Sequence, residues 1–204
     1  MQYTFREELK ACGKNSRSVT IWNTESSRSL HERLKRVFRD RYVSSEYFGA
    51  LKSGEVVNGF LQQDICRTSF RSDSFDFILS SDVLEHVPEP EEAFREVHRV
   101  LKPGGKFIFT APFGEGMPQS DFRARLKKDG SVEYLKEPSY HGDPLRPEGI
   151  LVYVIFGEDL FGMCEKAGLI CNKRKLYRPF YGIIGSNAII FVAQKPLPSP
   201  SGQG

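Results

Sequence analysis

The sequence predicts an α/β fold with a mainly parallel sheet, and three observations support this class. Strand-like segments alternate with helical segments along the chain, as in β-turn-α units with right-handed crossovers. Phe75–Ser80 is an apolar run typical of a central strand that helices cover on both faces. Ser80, Ser81 and Asp82 end this run, at the point where open α/β sheets bind their ligands. We therefore expect the functional site at the carboxyl ends of the strands.

Local sequence patterns predict the strands and helices of the first half of the chain. Short apolar, β-branched runs predict three strands before Phe75–Ser80, and apolar residues at helical spacing predict a helix after the first of them. The helix that follows the fourth strand starts at Pro90 and stops at Pro103–Gly105, and Lys106–Thr110 is the fifth strand. The first three strands are expected at Ser18–Trp22, Arg41–Tyr47 and Gly59–Ile65, and the first helix at Ser29–Arg39.

The second half begins with a polar segment, 113–149, that is rich in Gly and Pro. A segment of this length predicts a functional loop or lid. A further helix is expected within 152–168, followed by antiparallel closing strands at Leu169–Tyr177 and Asn187–Ala193. We therefore expect one domain at 1–195. A disordered tail is expected at 196–204, where Pro, Ser and Gly cannot bury apolar surface.

Composition narrows the classes of partner. The chain has 204 residues and a formal charge of +3, too small to indicate nucleic acid binding. The four cysteines lack Cys-x-x-Cys spacing and the histidines lack ligand spacing, so neither a metal nor a disulfide framework is predicted. The first residues lack the apolar run of a secretory signal or a membrane span. We expect a cytoplasmic protein without nucleic acid or membrane partners, and leave its oligomeric state open.

Two motifs together resemble a known family. One is Phe75–Pro88, which reads FDFILSSDVLEHVP, and the other is His98–Gly105, which reads HRVLKPGG. Over Val19–Lys195 the chain resembles the class I S-adenosylmethionine-dependent methyltransferases, of the type 11-like kind. The resemblance implies a Rossmann-like three-layer sandwich and a mainly parallel seven-stranded sheet with an antiparallel last strand. It also implies S-adenosyl-L-methionine as the cofactor.

The turn after the first strand departs from the pattern of that family. Methyltransferases of this kind carry a Gly-rich turn there, because backbone without side chains can approach the cofactor closely. Here the turn, Trp22–Ser27, reads WNTESS and contains no glycine. Polar side chains at a helix N-terminus also offer donors to a carboxylate. We therefore expect Asn23, Thr24 and Glu25 to border the methionine end of the cofactor.

The resemblance implies further cofactor-binding residues at the ends of three strands. Glu46 and Tyr47 end the second strand, where an acidic side chain commonly accepts the ribose hydroxyl protons. The alternative for Glu46 is a solvated charge. Asp64 and Ile65 match the position that contacts adenine, and the alternative for Asp64 is a helix cap or loop turn. The residues that end the fourth strand would form the floor of the site, namely Ser80, Ser81, Asp82 and Val83. The alternative is that they only terminate the strand.

Three residues are candidates for catalysis. His141 and Asp143 belong to the densest group of proton-transfer side chains in the long segment, and His86 closely follows the fourth strand. Methyl transfer to oxygen or nitrogen can require a base, whereas positioning supplies much of the acceleration. The alternatives are a polar loop pinned by turns for the first two residues and a pocket-shaping role for His86. The remaining histidines, His31 and His98, are expected to face solvent.

The leading hypothesis is a methyltransferase that passes a methyl group to a small-molecule acceptor held beneath the segment 113–149. The alternative is a non-catalytic binding or scaffold protein that kept the fold while its cofactor turn degenerated, and the missing glycines favour it. A nicotinamide-dependent dehydrogenase would need a Gly-x-Gly-x-x-Gly fingerprint, which the sequence lacks.

Overall fold

A computed structural model describes residues 1–14, 18–26, 29–143, 146–181, 183–185 and 188–198, without the side chain of Asp143. Its main sheet has six strands, in the spatial order Ile170–Lys175, Ile189–Gln194, Leu101–Thr110, Phe75–Ser81, Ile21–Asn23 and Tyr42–Ser44. These strands are β1 (Ile21–Asn23), β2 (Tyr42–Ser44), β5 (Phe75–Ser81), β6 (Leu101–Thr110), β13 (Ile170–Lys175) and β14 (Ile189–Gln194). The shorter strands are β3 (Val56–Val57), β4 (Phe60–Leu61), β7 (Asp121–Phe122), β8 (Ala124–Leu126), β9 (Val132–Tyr134), β10 (Tyr140–Asp143), β11 (Arg146–Leu151) and β12 (Val154–Ile155).

The main sheet is parallel at its centre and antiparallel at one edge. β1 pairs parallel with β2 and with β5, and β5 pairs parallel with β6. β14 pairs antiparallel with both β6 and β13. This arrangement confirms the predicted α/β class with a mostly parallel sheet and an antiparallel closing strand.

Helices cover both faces of this sheet and complete a three-layer sandwich. On one face, Phe5, Leu34 and Phe38 pack against Phe77 and other apolar residues of the sheet. On the other face, a separate core cluster includes side chains from the two later helices, and these side chains pack against β5 and β6. The helices are α1 (Gln2–Ala11), α2 (Ser29–Phe38), α3 (Pro90–Val100) and α4 (Leu160–Lys166).

The sheet has one strand fewer than the seven expected. The predicted strand Gly59–Ile65 joins the sheet only through a single parallel bridge between Glu46 and Gln62. Asn58 and Gly59 both have positive φ, 51° and 83°, and turn β4 back to pair antiparallel with β3. An Asn-Gly pair favours such a two-residue hairpin, which removes this segment from the sheet ladder.

Two local predictions also differ from the structure. The helix expected within 152–168 occupies only Leu160–Lys166, because Val154 and Ile155 form β12 and pair with β7. His31 was expected to face solvent, but it is buried and its Nδ1 lies 3.1 Å from the hydroxyl of Tyr42. Burial lowers the pKa of His31.

The segment 113–149 contains regular structure rather than a continuous loop. It contributes the hairpins β8–β9 and β10–β11, and its strand β7 pairs with β12. Antiparallel pairing satisfies the backbone of this otherwise polar segment. Its role as a lid stays a prediction, as does the single-domain assignment.

Other expectations concern the termini and the cysteines. All four cysteines are free thiols. None of the helices in the described parts of the chain has the length and apolarity that a membrane crossing needs. Of the predicted tail, 196–198 has no regular structure, and 199–204 lies outside the described residues.

A buried carboxylate, Asp76, ties the start of β5 to its surroundings. Its side chain is 4% exposed and accepts hydrogen bonds from Lys102 Nζ at 2.8 Å and from both the amide and the hydroxyl of Thr20. Lys14 is a further ion-pair partner. Burial acts to raise the pKa of Asp76, but these hydrogen bonds outweigh it and hold the pKa well below its ordinary value.

Replacing Asp76 with Asn should therefore lower the free energy of unfolding by about 2 kcal/mol or more at pH 7. Because the folded-state pKa is depressed, the stabilisation is complete above the unfolded-state pKa of about 3.9 and is lost as the pH falls through the folded-state value. The wild type should thus begin to lose its advantage over the variant below about pH 4, and the loss should continue as the pH falls toward the depressed folded-state pKa. Denaturant titrations at several pH values measure this difference.

The control is Asp73→Asn, which removes the ion pair with Lys195 at a side chain that is 53% exposed. Exposed ion pairs contribute little, so this variant should lose less than about 1 kcal/mol. Equal losses in the two variants, or a pH-independent difference for Asp76→Asn, would contradict the proposed contribution of the buried carboxylate.

Candidate active site

A cleft of about 840 Å³ lies at the carboxyl ends of β1, β2 and β5. Its volume is within the usual range of small-molecule sites. The turn after β1, the end of β2, the bend after β5 and the β10–β11 hairpin all contribute side chains to its wall. A second hollow of about 670 Å³ involves α3 and α4 and contains none of the predicted site residues. The residues of the cleft wall include Thr24, Glu25, Glu46, Tyr47, Asp64, Ile65, Ser81, Asp82, Val83, Glu85, His86, His141, Arg146 and Tyr153.

The glycine-free turn after β1 borders the cleft without filling it. Trp22 Nε1 donates to Ser45 Oγ at 2.9 Å, which fixes the indole in the cleft wall. The amide of Thr24 donates to the carbonyl of Leu79 at 3.0 Å and continues the sheet by one residue. The buried hydroxyl of Thr24 has no hydrogen-bond partner among the described residues. Thr24 and Glu25 thus line the cleft where a Gly-rich turn would present bare backbone.

Carboxylates at the next two strand ends also line the cleft. Glu46 Oε1 accepts from the amide of Ser26 at 2.6 Å, so the end of β2 is tied to the turn after β1. Asp64 Oδ1 accepts from the amide of Cys66 at 2.8 Å, which is the loop-turn geometry considered as an alternative for this residue. Both Asp64 and Ile65 nevertheless contribute to the cleft wall.

A sharp bend follows β5 at Asp82. This residue has φ = 52°, in the left-handed backbone region that non-glycine residues other than Asn and Asp seldom adopt. Its amide donates to the carbonyl of Thr110 at 3.1 Å, and its Oδ1 accepts from the hydroxyl of Thr110 at 3.0 Å. The bend leads into a 3₁₀ turn, Leu84–His86, which brings Glu85 and His86 to the cleft wall.

Glu85, His86 and His141 form a compact cluster at the hairpin side of the cleft. Glu85 is fully buried, and its Oε1 lies 3.3 Å from His141 Nδ1 and 3.8 Å from His86 Nε2. The two imidazole rings meet edge to face, with centroids 5.3 Å apart. His86 Nδ1 lies 2.8 Å from the carbonyl oxygen of Leu151. Burial raises the pKa of Glu85 to about 8, with a further contribution from Asp82.

Three of the predicted site residues have no side chain described in the cleft. Asn23 points to the opposite face of β1, where its Nδ2 donates to the Tyr42 hydroxyl at 3.0 Å and to the Glu25 carbonyl at 2.7 Å. Ser80 is fully buried, because successive side chains of a strand alternate between faces and Ser81 takes the cleft side. The side chain of Asp143 lies outside the described residues.

Glu85 and Arg146 are the main cleft residues that the sequence analysis did not select. Glu85 adjoins His86 in the sequence, but its contact with His141 joins distant parts of the chain and leaves no local pattern. Arg146 donates to the carbonyl of Tyr47 and so connects β11 to the opposite wall of the cleft. A single acidic residue within the apolar stretch Val83–Val87 is the signal that points to Glu85.

Comparison with known proteins supports the fold and the family. Residues 18–109 match a family model described as a methyltransferase domain. The sarcosine/dimethylglycine N-methyltransferase of Halorhodospira halochloris is 34% identical over 112 residues, which cover 54% of this chain and 38% of that protein. The chain spans less than two fifths of the length of the curated relatives that it matches first.

Solved structures give the same fold. An S-adenosylmethionine-dependent methyltransferase from Mesorhizobium loti superposes with a TM-score of 0.56 at 15% identity, covering 92% of this chain and 96% of that one. Phosphoethanolamine N-methyltransferase 2 of Haemonchus contortus, in complex with S-adenosyl-L-methionine, gives 0.51 at 14% identity and covers 92% and 51%.

The fold is thus that of the Rossmann-like methyltransferases. Because residues 18–109 match the model of a methyltransferase domain and solved methyltransferases share the fold, the predicted resemblance to class I S-adenosylmethionine-dependent methyltransferases is confirmed. S-adenosyl-L-methionine is the cofactor that these comparisons support.

The position of His141 depends on Gly149, which lies across the hairpin. Gly149 has φ = 78°, and a Cβ atom there would lie 2.6 Å from the carbonyl oxygen of His141. Gly149→Ala should lower the free energy of unfolding by about 2–4 kcal/mol, because it combines left-handed backbone strain with steric overlap. Thermal and denaturant unfolding measure the loss.

Gly130→Ala is a matched control. Gly130 has nearly the same φ, 81°, but a Cβ atom there would meet nothing within 4 Å. This variant should show the backbone strain alone, about 1 kcal/mol. If both variants lost the same stability, the close approach of Gly149 to His141 would have no energetic significance.

Proposed function

We propose that this protein transfers a methyl group from S-adenosyl-L-methionine to a small-molecule acceptor bound beneath the β10–β11 hairpin. The observation that supports this proposal best is the cleft itself. It brings Thr24, Glu46 and Ser81, from the ends of three parallel strands, to one hollow of suitable volume. Open α/β sheets bind their ligands at this edge.

In this proposal, the cofactor lies along the strand ends. Thr24 and Glu25, which line the cleft beside the turn after β1, border its methionine end. Glu46, held by the amide of Ser26, accepts hydrogen bonds from the ribose hydroxyls. Asp64 and Ile65 border the adenine ring with a polar and an apolar group.

The acceptor occupies the remaining part of the cleft, between the bend after β5 and the hairpin. Ser81, Asp82 and Val83 form the floor near the reacting methyl group, and His86 and His141 face the acceptor side. Because the sulfonium already makes the methyl group reactive, holding the acceptor in line with the sulfur–methyl bond supplies much of the acceleration. A small acceptor agrees with the activity named for the Halorhodospira halochloris relative.

Glu46 gives the sharpest test of cofactor binding. Glu46→Ala should weaken binding of S-adenosylmethionine by more than tenfold, because charge-assisted hydrogen bonds contribute about 1.5–3 kcal/mol and about 1.4 kcal/mol corresponds to tenfold. Calorimetry and the fluorescence of Trp22, which lies in the cleft wall, measure the affinity. Glu55→Ala, at an exposed residue outside the cleft, should bind as the wild type does. Unchanged affinity in Glu46→Ala would remove Glu46 from the site.

Release of S-adenosylhomocysteine tests the transfer itself. A panel of small amines and hydroxyl compounds, assayed with the wild type, should include acceptors that raise release above the background without acceptor. Glu46→Ala should lower that release at subsaturating cofactor concentration. If neither S-adenosylmethionine nor S-adenosylhomocysteine gave a calorimetric signal with the wild type, the methyltransferase proposal would fail and the scaffold hypothesis would stand.

A further inference from the structure

We propose that Glu85, His86 and His141 bind a divalent transition-metal ion at the hairpin side of the cleft. Each residue offers one ligand atom, and the three atoms lie within 4.8 Å of one another. This site was not expected from the sequence, because its third ligand belongs to the β10–β11 hairpin. The proposal does not depend on methyl transfer.

The separations between the ligand atoms suit a shared cation. Metal–ligand bonds to imidazole nitrogen and carboxylate oxygen are about 2.0–2.2 Å, so neighbouring ligand atoms of one ion lie roughly 3–3.5 Å apart. Glu85 Oε1 and His141 Nδ1 are already 3.3 Å apart. His86 Nε2 is 3.8 Å from Glu85 Oε1, and all three ligand atoms lie within 4.8 Å of one another, so the imidazole of His86 must shift toward the other two ligands to complete the set.

The burial of Glu85 is the strongest independent indication of a ligand. Its side chain is fully buried, and the imidazoles of His141 and His86 are the nearest potentially charged groups that the described part of the chain gives to its carboxylate. Burying a carboxylate without compensation is costly, and coordination of a metal is one of the ways in which proteins compensate it. The nearby Asp82 adds negative charge to the same region.

The orientation of His86 also fits a metal ligand. A carbonyl oxygen only accepts hydrogen bonds, so His86 Nδ1 must donate its proton to Leu151 O, 2.8 Å away. In the neutral ring, Nε2 then carries a lone pair and faces Glu85. Metal-binding histidines usually have their second nitrogen held in this way by a carbonyl or carboxylate. Leu151 pairs with Tyr140, so the hairpin that carries His141 also orients His86.

The donor set indicates the kind of metal. Two imidazoles and one carboxylate suit Zn²⁺, Fe²⁺ or Mn²⁺ better than Mg²⁺ or Ca²⁺, which prefer oxygen ligands. All three residues line the cleft. Three protein ligands leave further coordination positions for water or for a ligand in the cleft, as in catalytic zinc sites. In this assignment His86 and His141 act as ligands, which replaces the proton-transfer role that the sequence predicted for them.

Metal binding to the untagged full-length protein, stripped with a chelator, tests the proposal. Titration with Co²⁺, followed by its visible absorption, should give one saturable equivalent, and Zn²⁺ should displace it. Zn²⁺ should also raise the unfolding temperature, whereas Mg²⁺ should have no effect at the same concentration. Absence of saturable Co²⁺ or Zn²⁺ binding would overturn the proposal.

Variants locate the ion. His141→Ala and Glu85→Gln should each weaken Co²⁺ binding by at least tenfold. His98→Ala, outside the cleft, should bind as the wild type does. His141 is 42% exposed, so its variant keeps the test valid if Glu85→Gln fails to fold. Wild-type affinity in His141→Ala would refute the assignment. Calorimetry with S-adenosylmethionine on the metal-free protein tests cofactor binding separately, so failure of the metal site is distinguishable from failure of the proposed function.

Discussion

Parallel pairing of β1 with both β2 and β5 is the constraint on which the whole site depends. The register places Asn23 beside Ser44 and Leu79, so these strands end at nearly the same level of the sheet. The chain segments that leave the three strands must then share one edge, and their polar residues converge there without long connections. Asp76, held at the opposite end of β5 by Lys102 and Thr20, fixes the level of the central strand against its neighbours.

The first turn lacks glycine, but its side chains border the cleft without filling it. Trp22 is anchored to Ser45, and Asn23 turns into the core. The amide of Ser26 is already engaged by Glu46, which closes the turn onto the end of β2. A Gly-rich turn lets a ligand approach bare backbone, whereas here the residues Thr24 and Glu25 line the cleft. The glycine-free turn therefore leaves the cleft open.

Local sequence patterns predict most of the fold. They also predict many of the residues that line the cleft, but not the contacts between residues that are distant in sequence. Apolar runs such as Phe75–Ser80 and helical spacing after Pro90 correctly predict β5 and α3, because strand and helix periodicity are local properties. The turn chemistry of Asn58–Gly59 is also local, but the pattern of Gly59–Ile65 predicts a strand of the main sheet, whereas β4 pairs with β3. The alternation of faces that separates Ser80 from Ser81 follows from the strand itself, but only the structure shows which face borders the cleft. The contact of Glu85 with His141 depends on how a distant hairpin docks, which no window of sequence contains.

The β10–β11 hairpin connects the two walls of the cleft, and this position explains why a polar segment is ordered at all. At one end, Arg146 donates to the backbone of Tyr47 beside β2. At the other end, His141 contacts Glu85, and Leu151 accepts from His86 beside β5. An isolated hairpin of two strands is only marginally stable in water, so these contacts with the main sheet supply the stability that it lacks. Any ligand that draws Glu85, His86 and His141 together would tighten the hairpin onto β5, and the size of the cleft depends on that docking.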